Sequence, residues 1–579
     1  MKIITKISII IIVLHYSLSI SSQNHKKGIF SSPLNIPVKL AGNFGEIRPT
    51  HFHGGLDIKT ESMEGKVVLA AADGYVSKIK ISPGGYGNVL YIRHGNQYMT
   101  VYGHLKSFRD DMGKYVLAKQ YENQSYSVEL ELSETQFPVH KGDTVAFSGN
   151  SGTSGGPHLH FEIRDINSEI TYNPLLFGFD IKDNLPPIIE AIEIIPYGKH
   201  STVHGQPKKK IIYAKGKGGR YSLFSDKPVD VSGDIGFGIL SFDKLNGESN
   251  KCGVFSIELL VDSILVYQYV SDHLVINDTR YVLSHIDFEE KMLHKKSFQK
   301  SYLDPYNLLD LYHNVKNRGI IHFADDSIHQ LGYIVKDSYG NTSYLSFRIK
   351  SHNIDTSLET LPVKSCTQII PYDSPYTFNS DGISIVFPDK ALYDTLFFDF
   401  SKSPKLNKSF SPVFNIHNRF TPLHKAITIT IKADSTSYRY YDKLLVALVE
   451  NGKKGNSFKS VGGTFSNGTV VASTKEFGKY TLVADTIPPT IKAVNISKGK
   501  KMSAIKTLKF IVSDDLSGIG LYNGYIDGNW VLFRYDEKRK LLYYEFDDNR
   551  IEKNREHKIL LKISDNKNNE SFFETNFFW

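Results

Sequence analysis

The sequence predicts a mainly β protein: an N-terminal antiparallel β-sheet domain followed by three β-sandwich-like modules. Tyr and Phe number 34 and 35, and with frequent Ile, Val and Thr they favour strands. Alternating apolar runs such as "KVVLAAADGYVSKIKI" and "GNVLYIRHGNQYMTVYGHL" are broken by Gly and Asn turns, the pattern of hairpins. A linker-and-strand signature also recurs, "DNLPPIIEAIEIIP" at Asp183 returning as "DTIPPTIKAVNIS" at Asp485.

The elements follow in chain order. At 579 residues and roughly 150 residues per domain, about four domains are expected. Residues 1–21 read as a secretory signal peptide: Lys2 and Lys6 precede the apolar run Ile7 to Leu14, and Ser19 and Ser21 form a small-x-small cleavage site. The competing reading, an uncleaved anchor, is disfavoured because the run is shorter than a spanning helix needs. Residues 28–182 hold most of the notable histidines and the densest glycine turns. Residues 186–352 and 485–579 read as related immunoglobulin-like modules, each opening on an Asp and a Pro-Pro pair. "GDIGFGILSFD" near Gly233 echoes "SDDLSGIGLYNGYIDG" near Ser513, and "YIVKDSYGNTSYLSFRI" echoes "LLKISDNKNNESFFETNFF". Residues 365–484 form a further β-rich module. Helical periodicity is weak, and "YNLLDLYHNV", Tyr306 to Val315, is the main helical candidate.

Charge and cysteine content narrow the function classes. Formal charge is +8, spread over a long chain, a mild bias towards anionic surroundings such as a cell wall. The lysine clusters are short, and nothing argues for nucleic acid. Cys252 and Cys366 are far apart, so a stapling disulfide is not expected. The mature chain is expected to be exported and soluble, in the periplasm or cell envelope.

Three stretches concentrate ligand-capable side chains. "HFHGGLDI" carries His53 and Asp57, "TVYGHL" alternates Thr100, Tyr102 and His104, and "GGPHLHFEI" alternates His158, His160 and Glu162. On a strand, residues i and i+2 share a face roughly 6.6 Å apart. One imidazole of such a pair can bind a metal while its neighbour reaches a bound water. A catalytic zinc needs three protein ligands and a water, so the five candidates His53, Asp57, His104, His158 and His160 exceed one ligand set. His51 reads as a residue behind the ligands or at the surface, and Glu162 as a strand-end hydrogen-bonding group or the orienter of a ligand histidine.

Taken in order, "HGGLD", "TVYGHL" and "GPHLHFEI" resemble the lysostaphin/LytM-type zinc endopeptidases, peptidase family M23, over about Asn43 to Pro174. The resemblance covers about a quarter of the chain. It implies Zn²⁺ held by His53, Asp57 and His160, with His104 and His158 as a non-ligand catalytic pair. The implied reaction is hydrolysis of peptide stems or cross-bridges in peptidoglycan. Arg48, in an altered "NFGEIRP" lead-in, is a candidate substrate contact, and Tyr102 a candidate groove-lining residue. Asn43 corresponds to an upstream Asn that caps the open zinc position in latent relatives. The long stretch from Asp110 to Val139 is a departure that either walls the groove or blocks it. The rival reading is a non-catalytic envelope scaffold that regulates other wall hydrolases, with the β modules contacting envelope proteins.

Overall fold

A computed structural model describes residues 27–354, 366–434, 439–452 and 455–579. The expected signal peptide, residues 1–21, lies outside the described residues. The protein is mainly β, with an N-terminal sheet domain and several β-sheet modules behind it.

The N-terminal domain is built from β1 (Leu40–Gly42), β2 (Leu56–Lys59), β3 (Val67–Leu69), β4 (Gly74–Ile81), β5 (Asn88–His94), β6 (Tyr98–Gly103) and β7 (Ser107–Phe108). Helix α1 (Asp110–Glu122) follows, then β8 (Val128–Glu131), β9 (Pro138–Val139), β10 (Thr144–Phe147), β11 (His158–Asp165) and β12 (Ile170–Tyr172). The main sheet runs β1-β2-β11-β6-β5-β4-β8, with β12 beside β11 and β9 beside β4, while β3-β10-β7 form a smaller sheet.

Alternation explains why β11 is central. Leu159, Phe161 and Ile163 are fully buried in the core, Leu159 opposite Ile58 and Phe161 opposite Leu56 of β2. Burying each such side chain contributes about 1.5–3 kcal/mol. The other face of β11 therefore carries His158, His160, Glu162 and Arg164, and His160 stands opposite both Asp57 on β2 and Gly103 on β6.

Behind this domain, an 11-stranded sheet occupies residues 188–352, with strand Ile188–Val203 paired along Val229–Phe242. Its apolar core is continuous with that of the N-terminal domain. Residues 368–484 form two five-stranded sheets and a two-stranded pair around a second core. Residues 490–579 form a four- and a five-stranded sheet around a third. Cys252 and Cys366 are unpaired.

Two findings depart from the sequence reading. Tyr306 to Val315 is not helical: it is turns and irregular backbone leading into the short strand Tyr312–His313, and Leu309 and Leu311, two residues apart, are both buried, which one face of a helix cannot do. Among the described residues the longest helix is instead α1, inside the Asp110 to Val139 stretch, burying Met112, Val116 and Gln120 along one face. Asp110 and Asp111 in its first turn and Lys119 in its last suit the helix dipole.

That stretch is also where the end of the chain docks. Trp530 packs edge-to-face on Tyr121 with ring centroids 5.2 Å apart, and the Arg550 guanidinium lies 3.4 Å from the centre of the Tyr121 ring. Nearby, Lys538 Nζ donates to the Asn150 and Ser154 carbonyls at 2.6 and 2.9 Å. The C-terminal module thus braces α1 and the glycine-rich loop leading to β11.

Candidate metal centre and active site

The core of the site is a triangle of three donor atoms. His53 Nε2 and Asp57 Oδ1 are 3.0 Å apart, His160 Nδ1 and Asp57 Oδ1 are 3.0 Å apart, and His53 Nε2 and His160 Nδ1 are 3.1 Å apart. A tetrahedral zinc shell with bonds of about 2.0–2.2 Å has edges of about 3.3–3.6 Å. The triangle is slightly tighter than this and its donor atoms converge, so the residues fit such an ion.

Backbone and side-chain partners fix how each donor points. His53 Nδ1–H donates to the Asn43 carbonyl at 2.8 Å, leaving Nε2 with its lone pair towards the triangle. His160 Nε2–H donates to Glu162 Oε1 at 2.7 Å, so here Nδ1 is the free nitrogen. Glu162 is itself clamped, accepting from Tyr86 Oη at 2.6 Å and from Arg164 Nε at 2.5 Å. The other Asp57 oxygen, Oδ2, accepts from Arg48 Nη2 at 2.7 Å. Such outer partners hold ligand orientation and basicity.

The loop before β2 can reach the metal face because of Gly55. A Cβ there would lie 2.4 Å from the Phe161 carbonyl oxygen, so only glycine lets "HGGLD" press against β11. Gly152, at φ +69°, does the same for the other rim, where a Cβ would meet the Gly85 carbonyl at 2.3 Å.

His104 and His158 face the same centre without joining the triangle. Their ring centroids are 4.8 Å apart, and His158 Nε2 lies 3.4 Å from Asp57 Oδ1. His104 Nδ1–H donates to the Ser151 carbonyl at 2.9 Å and His158 Nδ1–H to the Gly156 carbonyl at 2.8 Å, which leaves Nε2 of each ring as the free nitrogen. All five residues line one cavity of about 420 Å³. Ile276 and Thr279 of the following module close one side of it, and Thr279 accepts from the Phe52 N–H at 3.2 Å.

Electrostatics follow from burial against pairing. Burial and the neighbouring histidines push His104 down to about 3, keeping its ring neutral. Burial opposes charge on His160, but hydrogen bonds to Asp57 and Glu162 outweigh it and lift its pKa to about 9 in the metal-free protein. Burial likewise opposes charge on Asp57, yet the surrounding histidines hold its carboxyl well below the usual range. Glu162 is held low by Arg164 and His160 against its own burial.

Several sequence expectations change. Tyr102 does not line the groove: it is 0% exposed, packs on Phe161, and its hydroxyl accepts from the Ala71 N–H at 2.9 Å. Simple alternation put Tyr102 and His104 on one face, but β6 ends at Gly103 and His104 takes φ +59°, which turns its ring to the opposite side. Arg48 does line the cavity, although its Nη2 is occupied by Asp57. Asn43 does not cap the metal position, because its side chain is held by both backbone groups of Gly253 at 2.7 and 2.8 Å. No residue from Asp110 to Val139 lines the cavity.

Sequence reasoning gave Glu162 only a minor part and missed Tyr86 and Arg164. The alternation that exposed His158 and His160 extends through Glu162 to Arg164, so that signal was present. Tyr86 carried none, since it arrives from a turn.

Comparison with known proteins places this geometry in a class. The Peptidase family M23 profile matches residues 51–122, a span that includes His53, Asp57 and His104. A Zu5-like domain profile matches residues 367–485. The N-terminal part of the chain is a peptidase M23 domain of the LytM/lysostaphin type. A protein named uncharacterized metalloprotease from Haemophilus influenzae is 37% identical over 145 residues, 25% of this chain and 24% of that protein. DD-carboxypeptidase/endopeptidase Mpg of Neisseria meningitidis is 31% identical over 144 residues, 24% of this chain and 27% of that protein. Murein hydrolase activator NlpD of Escherichia coli is 31% identical over 123 residues, 21% of this chain and 25% of that protein. The match thus spans about a quarter of the length of these relatives. Among solved structures, the catalytic domain of the M23 protein EnpA from Enterococcus faecalis is 25% identical, covering 24% of this chain and 89% of that one, with a TM-score of 0.18.

Proposed function

We propose that the protein is an exported zinc-dependent endopeptidase that hydrolyses peptide cross-links of peptidoglycan. The observation that carries this reading is the converging triangle of His53, Asp57 and His160 with two further imidazoles facing it. Peptidoglycan as substrate is supported by relatives named DD-endopeptidases and murein hydrolase activators. Export is supported by the N-terminal sequence and by the envelope character of those names. The proposed organisation is a peptidase domain over 28–182, immunoglobulin-like modules over 186–352 and 485–579, and a β-rich module over 365–484.

A zinc ion held by His53, Asp57 and His160 would supply Lewis acidity at the scissile carbonyl and a water acidified towards neutral pH. The chain supplies the rest. His104 and His158 each turn Nε2 to the centre, the nitrogen placed to take the proton of the attacking water and then to hydrogen-bond the developing oxyanion. Arg48 and Glu162 act as positioning residues, holding Asp57 and His160 from behind the ligand atoms. The cavity wall from Ile276 and Thr279 keeps one side of the substrate out of bulk water.

The second reading, a regulator of other hydrolases, is favoured by the relatives named activators. One comparison separates the two. Mass spectrometry of muropeptides from sacculi incubated with zinc-loaded protein should show new cleavage products that disappear with His160→Ala. A His160→Ala chain that keeps its effect in the cell while neither chain cleaves sacculi would favour the regulator.

A further inference from the structure

Outside the peptidase centre, three carboxylates, two buried and one half-buried, meet where the chain enters the module after the peptidase domain. Asp183 comes from the linker before the Pro186-Pro187 pair, Asp243 follows the strand Val229–Phe242, and Asp337 follows the strand Ile328–Lys336. One oxygen from each lies within 4.8 Å of the others. Asp243 is 4% and Asp337 3% exposed.

Their partners leave the cluster short of positive charge. Asp337 Oδ1 accepts from the Tyr339 and Asn341 N–H groups, and Oδ2 from Asn341 Nδ2 at 2.7 Å. Asp183 Oδ1 accepts from the Leu185 N–H, but Asp183 Oδ2 and Asp243 Oδ1 are buried with no hydrogen-bond partner, as is the Tyr339 hydroxyl. Among the described residues none of the three carboxylates forms an ion pair with Lys, Arg or His. Burial and mutual repulsion push Asp243 up to about 8 and Asp183 up to about 6. An uncompensated buried carboxylate costs several kcal/mol, and two orphaned oxygens in one place call for a cation.

The same construction is built a second time. Asp485, Asp514 and Asp565 also bring one oxygen each within 4.8 Å of the others, where the last module begins. Asp565 accepts from the Lys567 and Asn569 N–H groups and from Asn569 Nδ2, as Asp337 does from its own turn. Asn569 Nδ2 also donates to the Asp485 carbonyl at 3.0 Å, as Asn341 Nδ2 does to the Asp183 carbonyl at 3.3 Å. Ser571 Oγ donates to the Pro489 carbonyl and Ser343 Oγ to the Pro187 carbonyl. Asp514 Oδ1 is the orphaned oxygen here, in the position of Asp243 Oδ1. Asp485 Oδ2 accepts from the Ser517 N–H, so Asp514 Oδ1 alone is orphaned here, and repetition of the same three-carboxylate geometry around an orphaned oxygen argues for a shared ligand rather than for accidental packing.

We propose that Asp183, Asp243 and Asp337 bind a calcium ion, and that Asp485, Asp514 and Asp565 bind a second in the same way. The donors are all hard oxygens, suited to Ca²⁺ and unlike the nitrogen-containing set at the peptidase centre. Water and backbone carbonyls would complete a six- to eight-oxygen shell. Each ion ties the linker Asp to two loops of the module that follows, and so fixes the angle at which the chain enters it.

The test uses the full-length chain, stripped of metal and resupplied with zinc, in equilibrium dialysis against radioactive Ca²⁺ at millimolar concentration. Two calcium ions are expected per chain. Asp243→Asn and Asp514→Asn should each remove one, and the double variant both. Replacing the orphaned carboxyl by an amide should leave each variant at least as thermally stable as wild type without calcium. Only wild type should gain its full rise in Tm, several degrees, when calcium is added. That pairing separates loss of a ligand from misfolding. Absence of bound calcium, unchanged stoichiometry in the variants, or saturation by Mg²⁺ with no calcium binding would each overturn the assignment.

Discussion

Glu162 accepts the Nε2–H of His160 at 2.7 Å and thereby aims the opposite ring nitrogen at Asp57. The His160 ring is set by a carboxylate two residues along the same strand, held in turn by Tyr86 and Arg164. Glu162→Gln keeps the shape but weakens the acceptor. Zinc affinity should fall about 10- to 100-fold, measured by competition with a chelator. Affinity within twofold of wild type would show that Glu162 does not position the ring.

Zinc uptake should release protons. With His160 lifted to about 9 before metal binds, its ring is charged at pH 7 and must give up a proton to become a ligand. Apparent zinc affinity is then expected to rise about tenfold per pH unit up to about pH 9. Because the folded pKa lies above the ordinary histidine value of 6.5, this group stabilises the metal-free fold fully below about pH 6.5, and that contribution is lost as pH rises through about 9. Calorimetric zinc titrations in buffers of different ionisation enthalpy should report about one proton released from His160 at pH 7.

Tyr102→Phe should act on stability and not on the reaction. Its hydroxyl accepts from the Ala71 N–H in the core, and leaving that donor unpaired costs about 1–3 kcal/mol. Chemical denaturation should show the loss while kcat/KM on a soluble stem peptide stays unchanged. A fall in kcat/KM at unchanged stability would return Tyr102 to the groove.

Lys538→Ala should loosen the glycine-rich loop. Lys538 Nζ donates to the Asn150 and Ser154 carbonyls, and Ser154 Oγ lies 3.1 Å from His158 Nδ1. Loss of contacts worth about 1 kcal/mol at a partly exposed site should speed hydrogen exchange several-fold at residues 149–156. Unchanged exchange there would mean that the loop holds its shape without the last module.

Much of the site was legible in local spacing. The i, i+2 pairing on β11 displayed His158, His160, Glu162 and Arg164 together, and "HGGLD" supplied His53 and Asp57 opposite them. Legibility stopped where the backbone leaves its regular period or where partners are distant in sequence. His104 lies one residue past the end of β6, and its positive φ reverses the face that alternation assigned it. Asn43 is gripped by Gly253, 210 residues away, a pairing that no local pattern encodes. The run from Tyr306 to Val315 carried apolar spacing compatible with a helix, yet strand pairing and burial of alternate leucines prevailed.

The brace between Lys538 and Asn150 joins residues 388 positions apart. The rim of the cavity therefore receives support from the module over residues 490–579. A chain lacking that module would keep His53, Asp57, His104, His158 and His160, but with Tyr121 uncovered and the loop beside His158 unbraced. The shape of this rim is thus a property of the contact between two modules and not of the N-terminal domain alone.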